Sequence, residues 1–375
     1  MPVPDRLRFA RKRRGLTKTR LAGLVGLTAR SVQAFENGEK APSEETLAGL
    51  ARALRFPVDF FAGEELDELL PDGVSFRSMS SLTAGRRDAA LGAGRLAIEL
   101  MAWLGERFTL PATNVPDFSE HEPEAAAEAV REFWKLGQKP ISNMVHLLEA
   151  NGVRVFSLAE RTKDVDAFSL WYDSAPYVFL NTFKSAERSR LDAAHELGHL
   201  VLHRHGGPEG RQAEHEAQAF AGAFLMPRRD VLAVGPRIPS LTKLVELKKR
   251  WSVAVVALIH RLHKLELLTE WHYRSLCIEA AGLGYRTREP NETARESSQL
   301  LAKVLAALRE DGVGRADVAR ALSVHQGELD SLVFGLVPTG IDGQRVTRQV
   351  DGHAGRSALR LLAPPSRDSA GTPRK

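Results

Sequence analysis

The sequence contains very little cysteine: Cys277 is the only one among 375 residues. A single thiol excludes an internal disulfide framework and is typical of proteins that work in a reducing compartment. No stretch of about 18 apolar residues is present, which excludes an ordinary transmembrane helix. The opening MPVPDRLRFARKRRG is charged where a secretory signal peptide would be apolar. We therefore expect a cytoplasmic protein that does not bind a membrane.

Positive charge is concentrated at the start of the chain. The formal net charge is only +5, yet residues 1–20 hold eight Lys or Arg against the single acid Asp5. Such a local field attracts phosphate, although a solvated helix face would have the same composition. The basic residues are Arg6, Arg8, Arg11, Lys12, Arg13, Arg14, Lys18 and Arg20.

Short amphipathic segments fill residues 1–64, which we predict to be an all-α domain. Thr17 and Thr28 are suited to cap two successive helices, and Gly26 between them is suited to a left-handed helix end. Two short helices joined by so tight a turn predict a helix-turn-helix that binds DNA.

The predicted recognition helix runs from Thr28 to Phe35. In the major groove Arg favours guanine and Gln favours adenine, whereas phosphate contacts position the protein. We expect the basic first helix to add phosphate contacts and Glu36 to form an ion pair with one of its arginines. The alternative is that these helices form a protein-interaction module and do not bind DNA. The predicted DNA-binding residues are Lys18, Thr19 and Arg20 for phosphates, Arg30, Ser31 and Gln33 for base edges, and Thr28 at the start of the helix.

The rest of the chain predicts a mostly helical α+β protein of more than one domain. Residues 65–122 read as a connector with a helix over residues 94–108, and residues 123–240 as an α+β unit with a small sheet. A C-terminal helical region should follow over residues 241–346. The Gly-, Ser-, Pro- and Arg-rich residues 347–375 are predicted to be a disordered tail.

A metal-binding pattern occupies the centre of this unit. His195 and His199 lie four positions apart in the run HELGH, so both imidazoles would lie on one face of a helix. A following helix offers Glu214 at the margin of its apolar arc, which favours Glu214 as third ligand over Glu216. Two His and one carboxylate leave a fourth position for water, as in catalytic rather than structural zinc sites. Glu196 would then act on that water as general base.

The local context of the histidine pair favours a metal site over two surface histidines. The pair lies beside the small residues Ala194 and Gly198, and the helix continues with the apolar residues Leu200, Val201 and Leu202. Surface helices seldom have this pattern. His203, on the same stripe, is a candidate for hydrogen bonding to a ligand or substrate, or for a partly buried structural role.

The N-terminal helix-turn-helix pattern and the central metal-binding pattern together resemble the ImmA/IrrE family of bacterial zinc metallopeptidases fused to an XRE-type helix-turn-helix. The resemblance covers about residues 6–340. It is carried by RKRRGLTKTRLAGLVGLTARSVQAFENGEK at the N-terminus and by ERSRLDAAHELGHLVLH and EHEAQAFAGAFLMP in the middle. It implies that residues 123–240 are a zincin-like metallopeptidase domain and that Glu214 is its metal glutamate.

The resemblance implies one Zn²⁺ per chain and control of stress responses, phage or mobile elements, often through cleavage of a repressor. The expected partners are a double-stranded DNA operator, a repressor or other regulatory protein as substrate, and a second copy of the chain in a homodimer. The alternative is a repressor or antitoxin without proteolysis, in which the metal domain is a sensor or scaffold. A degradative protease is disfavoured because bulk digestion has no use for a DNA-binding domain.

Overall fold

The computed structural model describes residues 4–67, 69, 83–158, 167–205, 210–236 and 238–337. The predicted tail at residues 347–375 lies outside this part of the chain. The described residues form a mostly helical α+β structure, which confirms the predicted fold class.

The N-terminal helices begin at the predicted caps. The hydroxyl of Thr17 accepts a hydrogen bond from the Arg20 amide, and that of Thr28 from the Ser31 amide, both at 3.1 Å. Gly26 ends the second helix with φ 68°, the left-handed conformation that favours glycine. The bounds are α1 Pro4–Arg13, α2 Lys18–Val25, α3 Ala29–Glu36 and α4 Glu44–Leu54.

Helix α5, Ala84–Gly105, packs against α1 and begins earlier than the predicted 94–108. Its glycines look like helix breakers in the sequence, but they allow close packing. A Cβ added to Gly85 would lie 2.8 Å from the Gly15 carbonyl oxygen, and one on Gly92 would lie 2.9 Å from the Arg13 side chain. Helix α5 of the predicted connector therefore lies directly on the N-terminal helices.

The small sheet has the strand order β1-β3-β2. Strand β3 pairs in parallel with β1 and in antiparallel with β2, so β2 is an edge strand. A two-residue turn at Asp173 and Ser174 joins β2 to β3, and both residues have positive φ, as a type I′ hairpin turn requires. The bounds are β1 Arg154–Ser157, β2 Ala167–Tyr172 and β3 Ala175–Leu180.

Successive residues of the sheet face two different hydrophobic cores. Tyr177 and Phe179 of β3 belong to a core shared with α1–α5, whereas Val178 and Leu180 face the core of the metal-binding helices. This follows from the two-residue period of a strand. The helices of the second core before the metal motif are α6 Pro123–Phe133 and α7 Met144–Ala150; the motif itself lies on α8 Ala186–Leu202 and α9 Arg211–Leu225.

The C-terminal helices divide between the two cores. Those nearest the metal motif complete the second core, and the last three pack with the N-terminal helices. Their bounds are α10 Arg228–Val234, α11 Leu241–Leu247, α12 Val255–Lys264, α13 Glu270–Gly282, α14 Gln299–Glu310, α15 Arg315–Ala321 and α16 Gln326–Val333.

Glu328 on α16 connects the last helices to α1 by a buried ion pair. Its carboxylate accepts a 3.0 Å hydrogen bond from Arg13 and a second bond from Arg14. Burial would raise the pKa of Glu328, but the two arginine charges outweigh burial and lower it. The charged carboxylate therefore stabilises the contact between the two ends of the chain.

Glu328→Gln is expected to lower the free energy of unfolding at pH 7 by about 1–3 kcal/mol, because a neutral amide replaces a charged acceptor. A lowered folded-state pKa stabilises the fold above the unfolded-state value of about 4.3, and this stability is lost as the pH falls through the folded-state pKa. Urea unfolding should therefore show a smaller difference between wild type and variant in acid than at pH 7. An equal difference at both pH values would contradict this assignment.

Candidate metal centre and DNA-binding surface

Two helices that cross closely bring the predicted ligands together. Helix α8 is capped by Ser185, and its C-terminal half is buried on nearly all sides. Its histidine pair lies on the side that faces α9. A Cβ added to Gly198 would lie only 3.1 Å from the Ala217 Cα. The absence of a side chain at Gly198 therefore allows α9 to approach, and this approach places Glu214 next to the histidine pair.

The donor atoms of His195, His199 and Glu214 form a triangle in which all lie within 4.8 Å of one another. The two histidine Nε2 atoms are 3.1 Å apart. Oε2 of Glu214 lies 3.3 Å from His195 Nε2, and its other carboxylate oxygen, Oε1, lies 3.4 Å from His199 Nε2. Ligand atoms about 2.0–2.1 Å from one tetrahedral ion such as zinc would be about 3.3 Å apart. The donor set and its spacing therefore fit one divalent metal ion.

The charges within this triangle favour a bound cation. Burial alone would raise the pKa of the Glu214 carboxyl, but hydrogen bonds with His195 and His199 outweigh burial and hold it well below its usual range. Burial would lower the pKa of His195, but its hydrogen bond to Glu214 and the nearby Glu196 charge raise it. The carboxylate thus attracts positive charge to the position that a metal ion would take.

Glu216, the alternative third ligand, lies outside the triangle and interacts with His203. His199 Nδ1 lies 3.0 Å from His203 Nδ1, and His203 Nε2 lies 3.0 Å from Glu216 Oε2. If His199 presents Nε2 to a metal, its Nδ1 carries the hydrogen and donates it to His203, which in turn donates to Glu216. This chain of hydrogen bonds gives His203 the geometry of a residue that orients a ligand.

Glu196 is buried, with 3% of its surface exposed, and is held by a residue that the sequence pattern did not indicate. The Ser169 hydroxyl on β2 donates a 2.7 Å hydrogen bond to Glu196 Oε2. A serine in a short strand gives no signal in the sequence that it will face a helix 27 residues later. The edge strand therefore both borders the site and fixes its carboxylate.

The outer face of α2 and α3 presents most of the predicted DNA-binding residues. Thr19, Arg20, Thr28, Arg30 and Gln33 are exposed. The other two, Lys18 and Ser31, are half-buried, and the Ser31 hydroxyl is hydrogen-bonded to the Thr28 hydroxyl at 2.9 Å.

Family models match two separate parts of this chain. Residues 7–61 match the helix-turn-helix model, and residues 148–263 match the model of the IrrE N-terminal-like domain of the peptidase M78 family. The chain joins a DNA-binding helix-turn-helix to an IrrE-like domain. The triangle of His195, His199 and Glu214 lies within the IrrE-like match. No curated protein matches the chain.

Within the helix-turn-helix, the expectation that the basic first helix contacts phosphates is wrong for two arginines of α1, Arg11 and Arg13, and for Arg14, which follows it directly. Arg11 donates to both carboxylate oxygens of Glu36, at 2.6 and 2.8 Å, which confirms the expected role of Glu36. Arg13 and Arg14 are bound by Glu328. Glu36 and Glu328 therefore neutralise part of this positive charge inside the protein, whereas Arg20 on α2 and Arg30 on α3 are exposed.

The sequence contains no apolar stretch long enough for an ordinary transmembrane helix. In the ranges that the structure describes, no helix is both long and apolar enough to cross a bilayer.

Proposed function

We propose that this DNA-binding regulator carries a zinc-dependent endopeptidase that cleaves a repressor or another regulatory protein in the cytoplasm. The observation that supports the proposal most is the triangle formed by His195, His199 and Glu214, whose side chains approach one another to 3.1–3.4 Å around a position suited to one metal ion. The neighbouring Glu196 supplies a carboxylate on the same helix. The helix-turn-helix would place this site near proteins bound to the same operator.

Each residue of the centre has a role in this proposal. A bound zinc ion would lower the pKa of a coordinated water and polarise the scissile carbonyl. Glu196 would accept the proton of the attacking water and return it to the leaving amine. Ser169 would hold the Glu196 carboxylate in position, and strand β2 beside the site would align an extended substrate as an added strand.

Cleavage of a neighbouring regulator tests the proposal directly. Purified, zinc-loaded protein would be incubated with each repressor encoded beside it, with and without a chelator, and the products identified by mass spectrometry. We expect one defined cut that requires the metal. Operator binding without cleavage of any of these proteins would instead favour the alternative of a repressor or antitoxin with a non-proteolytic metal domain.

His203→Ala is expected to weaken zinc binding by about 10–100-fold, because residues that orient metal ligands have effects of this size. The reason is the loss of the acceptor that faces Nδ1 of His199. Competition with a chromophoric chelator would measure the affinity, and His272→Ala, on α13, is the matched control. Unchanged zinc affinity in His203→Ala would assign this histidine a structural role only.

Arg30→Ala and Gln33→Ala are each expected to weaken specific operator binding by about 1–3 kcal/mol, because both side chains are exposed on α3 and available to base edges. Arg20→Ala should weaken binding to all sequences and reduce the salt dependence by about one phosphate contact. Gel-shift titrations against specific and random DNA separate these effects, with the exposed Arg274→Ala as control. Retained specificity after both α3 changes would overturn the groove assignment.

A further inference from the structure

A groove of about 680 Å³ lies between α8, α9 and α12, outside the metal centre. Its floor is formed by small or apolar residues from all three helices, including Leu191, Ala219, Val256 and Ala257. These floor residues are only half-buried, so the groove is accessible from solvent. An accessible apolar groove of this volume is within the range of ligand-binding sites.

The groove begins one helical turn from the metal ligands. Leu191 lies four residues before His195 on α8, and Gln218 lies four residues after Glu214 on α9. Residues four apart share a helix face and are separated by about 6 Å along the axis. A polypeptide with one peptide bond at the metal centre could therefore extend directly into the groove.

The rim of the groove is positively charged. Two acidic residues also line it, but both have cationic partners: Glu124 pairs with Arg261 at 3.0 Å, and Glu289 pairs with Lys248 at 3.2 Å. Acidic groups on a bound segment would complement the remaining charge. The exposed cations at the rim are Arg188, Lys264 and Arg286.

We propose that this groove binds the substrate polypeptide next to the cleaved bond. An apolar side chain of the substrate occupies the floor between α9 and α12, and carboxylates of neighbouring substrate residues face Lys264 and Arg286. The proposal rests on the proposed peptidase function, since it treats the metal centre as the place of cleavage. The groove would thus select substrates with an acidic segment that contains an apolar residue.

Gly222 offers a way to close the groove without disturbing the fold. It lies in the interior of α9, lines the groove, and has no atom within 4 Å of the position of an added Cβ. Gly222→Leu should therefore fold normally while it fills the floor. Gly105 near the end of α5 also has open space around an added Cβ, so Gly105→Leu is the matched control.

Peptide binding tests the proposal. The probes are fluorescein-labelled Gly-Glu-Asp-Xaa-Glu-Asp-Gly peptides with Leu, Phe or Ser at Xaa, and a Leu peptide with Lys at every acidic position. Fluorescence anisotropy would be measured on zinc-loaded protein carrying Glu196→Gln, so that no peptide is consumed. We expect the Leu and Phe peptides to bind about tenfold more tightly than the Ser peptide. The Lys peptide should bind about tenfold more weakly than its acidic counterpart, with a difference that shrinks in high salt.

Two variants test whether the preference for an apolar peptide residue arises in the groove. Gly222→Leu should abolish the preference for Leu over Ser, and Gly105→Leu should retain it. Equal binding of all peptides, or a preference that survives Gly222→Leu, would overturn the proposal. Selective binding without any cleavage by the wild type would refute the peptidase function alone, whereas cleavage without selectivity would refute the groove alone.

Discussion

Glu196→Gln is expected to reduce the rate of substrate cleavage by about 10²–10⁴-fold, the usual contribution of a positioned general base. Glutamine has nearly the same shape as glutamate and can still accept the hydrogen bond that Ser169 donates to Glu196 at 2.7 Å. The change therefore removes the proton acceptor without removing a metal ligand. Cleavage rates would be measured on the repressor that the wild type cuts.

Two controls separate catalysis from folding in this experiment. Zinc content and thermal midpoint should be the same in Glu196→Gln and wild type, because the triangle of His195, His199 and Glu214 is unchanged. His199→Ala should lose both zinc and activity. A Glu196→Gln protein that cleaves at the wild-type rate would show that another group accepts the proton.

The histidine pair and the choice of Glu214 could be predicted from sequence because each depends on the geometry of a single helix, whereas the crossing of α8 and α9 at Gly198 that brings them together is a tertiary feature. The four-residue spacing of His195 and His199 determines a shared helix face, and the apolar arc of α9 distinguishes Glu214 from Glu216. The caps at Thr17 and Thr28 are also local, since each involves an amide three residues away. Patterns of this kind depend on the periodicity of one helix.

The contacts that the sequence did not reveal join residues far apart in the chain. Arg13 and Glu328 are separated by 315 positions, and the arginines of α1 therefore looked available for DNA. Gly85 and Gly92 looked like part of a linker because the close approach of α1 to α5 is a tertiary feature. The sequence shows which residue types are present. Only the packing of the helices determines which charges are neutralised and at which positions a side chain would prevent close approach.

The ion pairs of Lys248 also join residues that are far apart in the chain, and they should have a large effect on stability. Lys248 has no exposed side-chain surface, and its Nζ lies 3.1 Å from Glu187 and 3.2 Å from Glu289. The main-chain amides of Thr293 and Val255 donate to the same two carboxylates. Lys248 is thus the cation that compensates two buried acids between α8 and the segment that follows α13.

Lys248→Met is expected to lower the free energy of unfolding by about 3–5 kcal/mol, because removal of one partner leaves buried charge uncompensated. Urea unfolding, followed by tryptophan fluorescence to which the nearby buried Trp251 contributes, would measure the change in zinc-saturated protein. The adjacent Lys249→Met is the matched control. Lys249 is 46% exposed and pairs with the exposed Glu246, so this change should alter stability by less than about 0.5 kcal/mol.

The pH dependence of the Lys248→Met effect tests its cause. Burial already raises the pKa of Glu289, against the opposing charge of Lys248. Without the lysine that pKa should rise further, and a raised folded-state pKa favours the folded state as the pH falls toward it. The stability lost in Lys248→Met should therefore be partly recovered at mildly acidic pH, and Glu289→Gln in the same chain should recover part of it at pH 7. A loss that is independent of pH and of Glu289 would indicate altered packing rather than uncompensated charge.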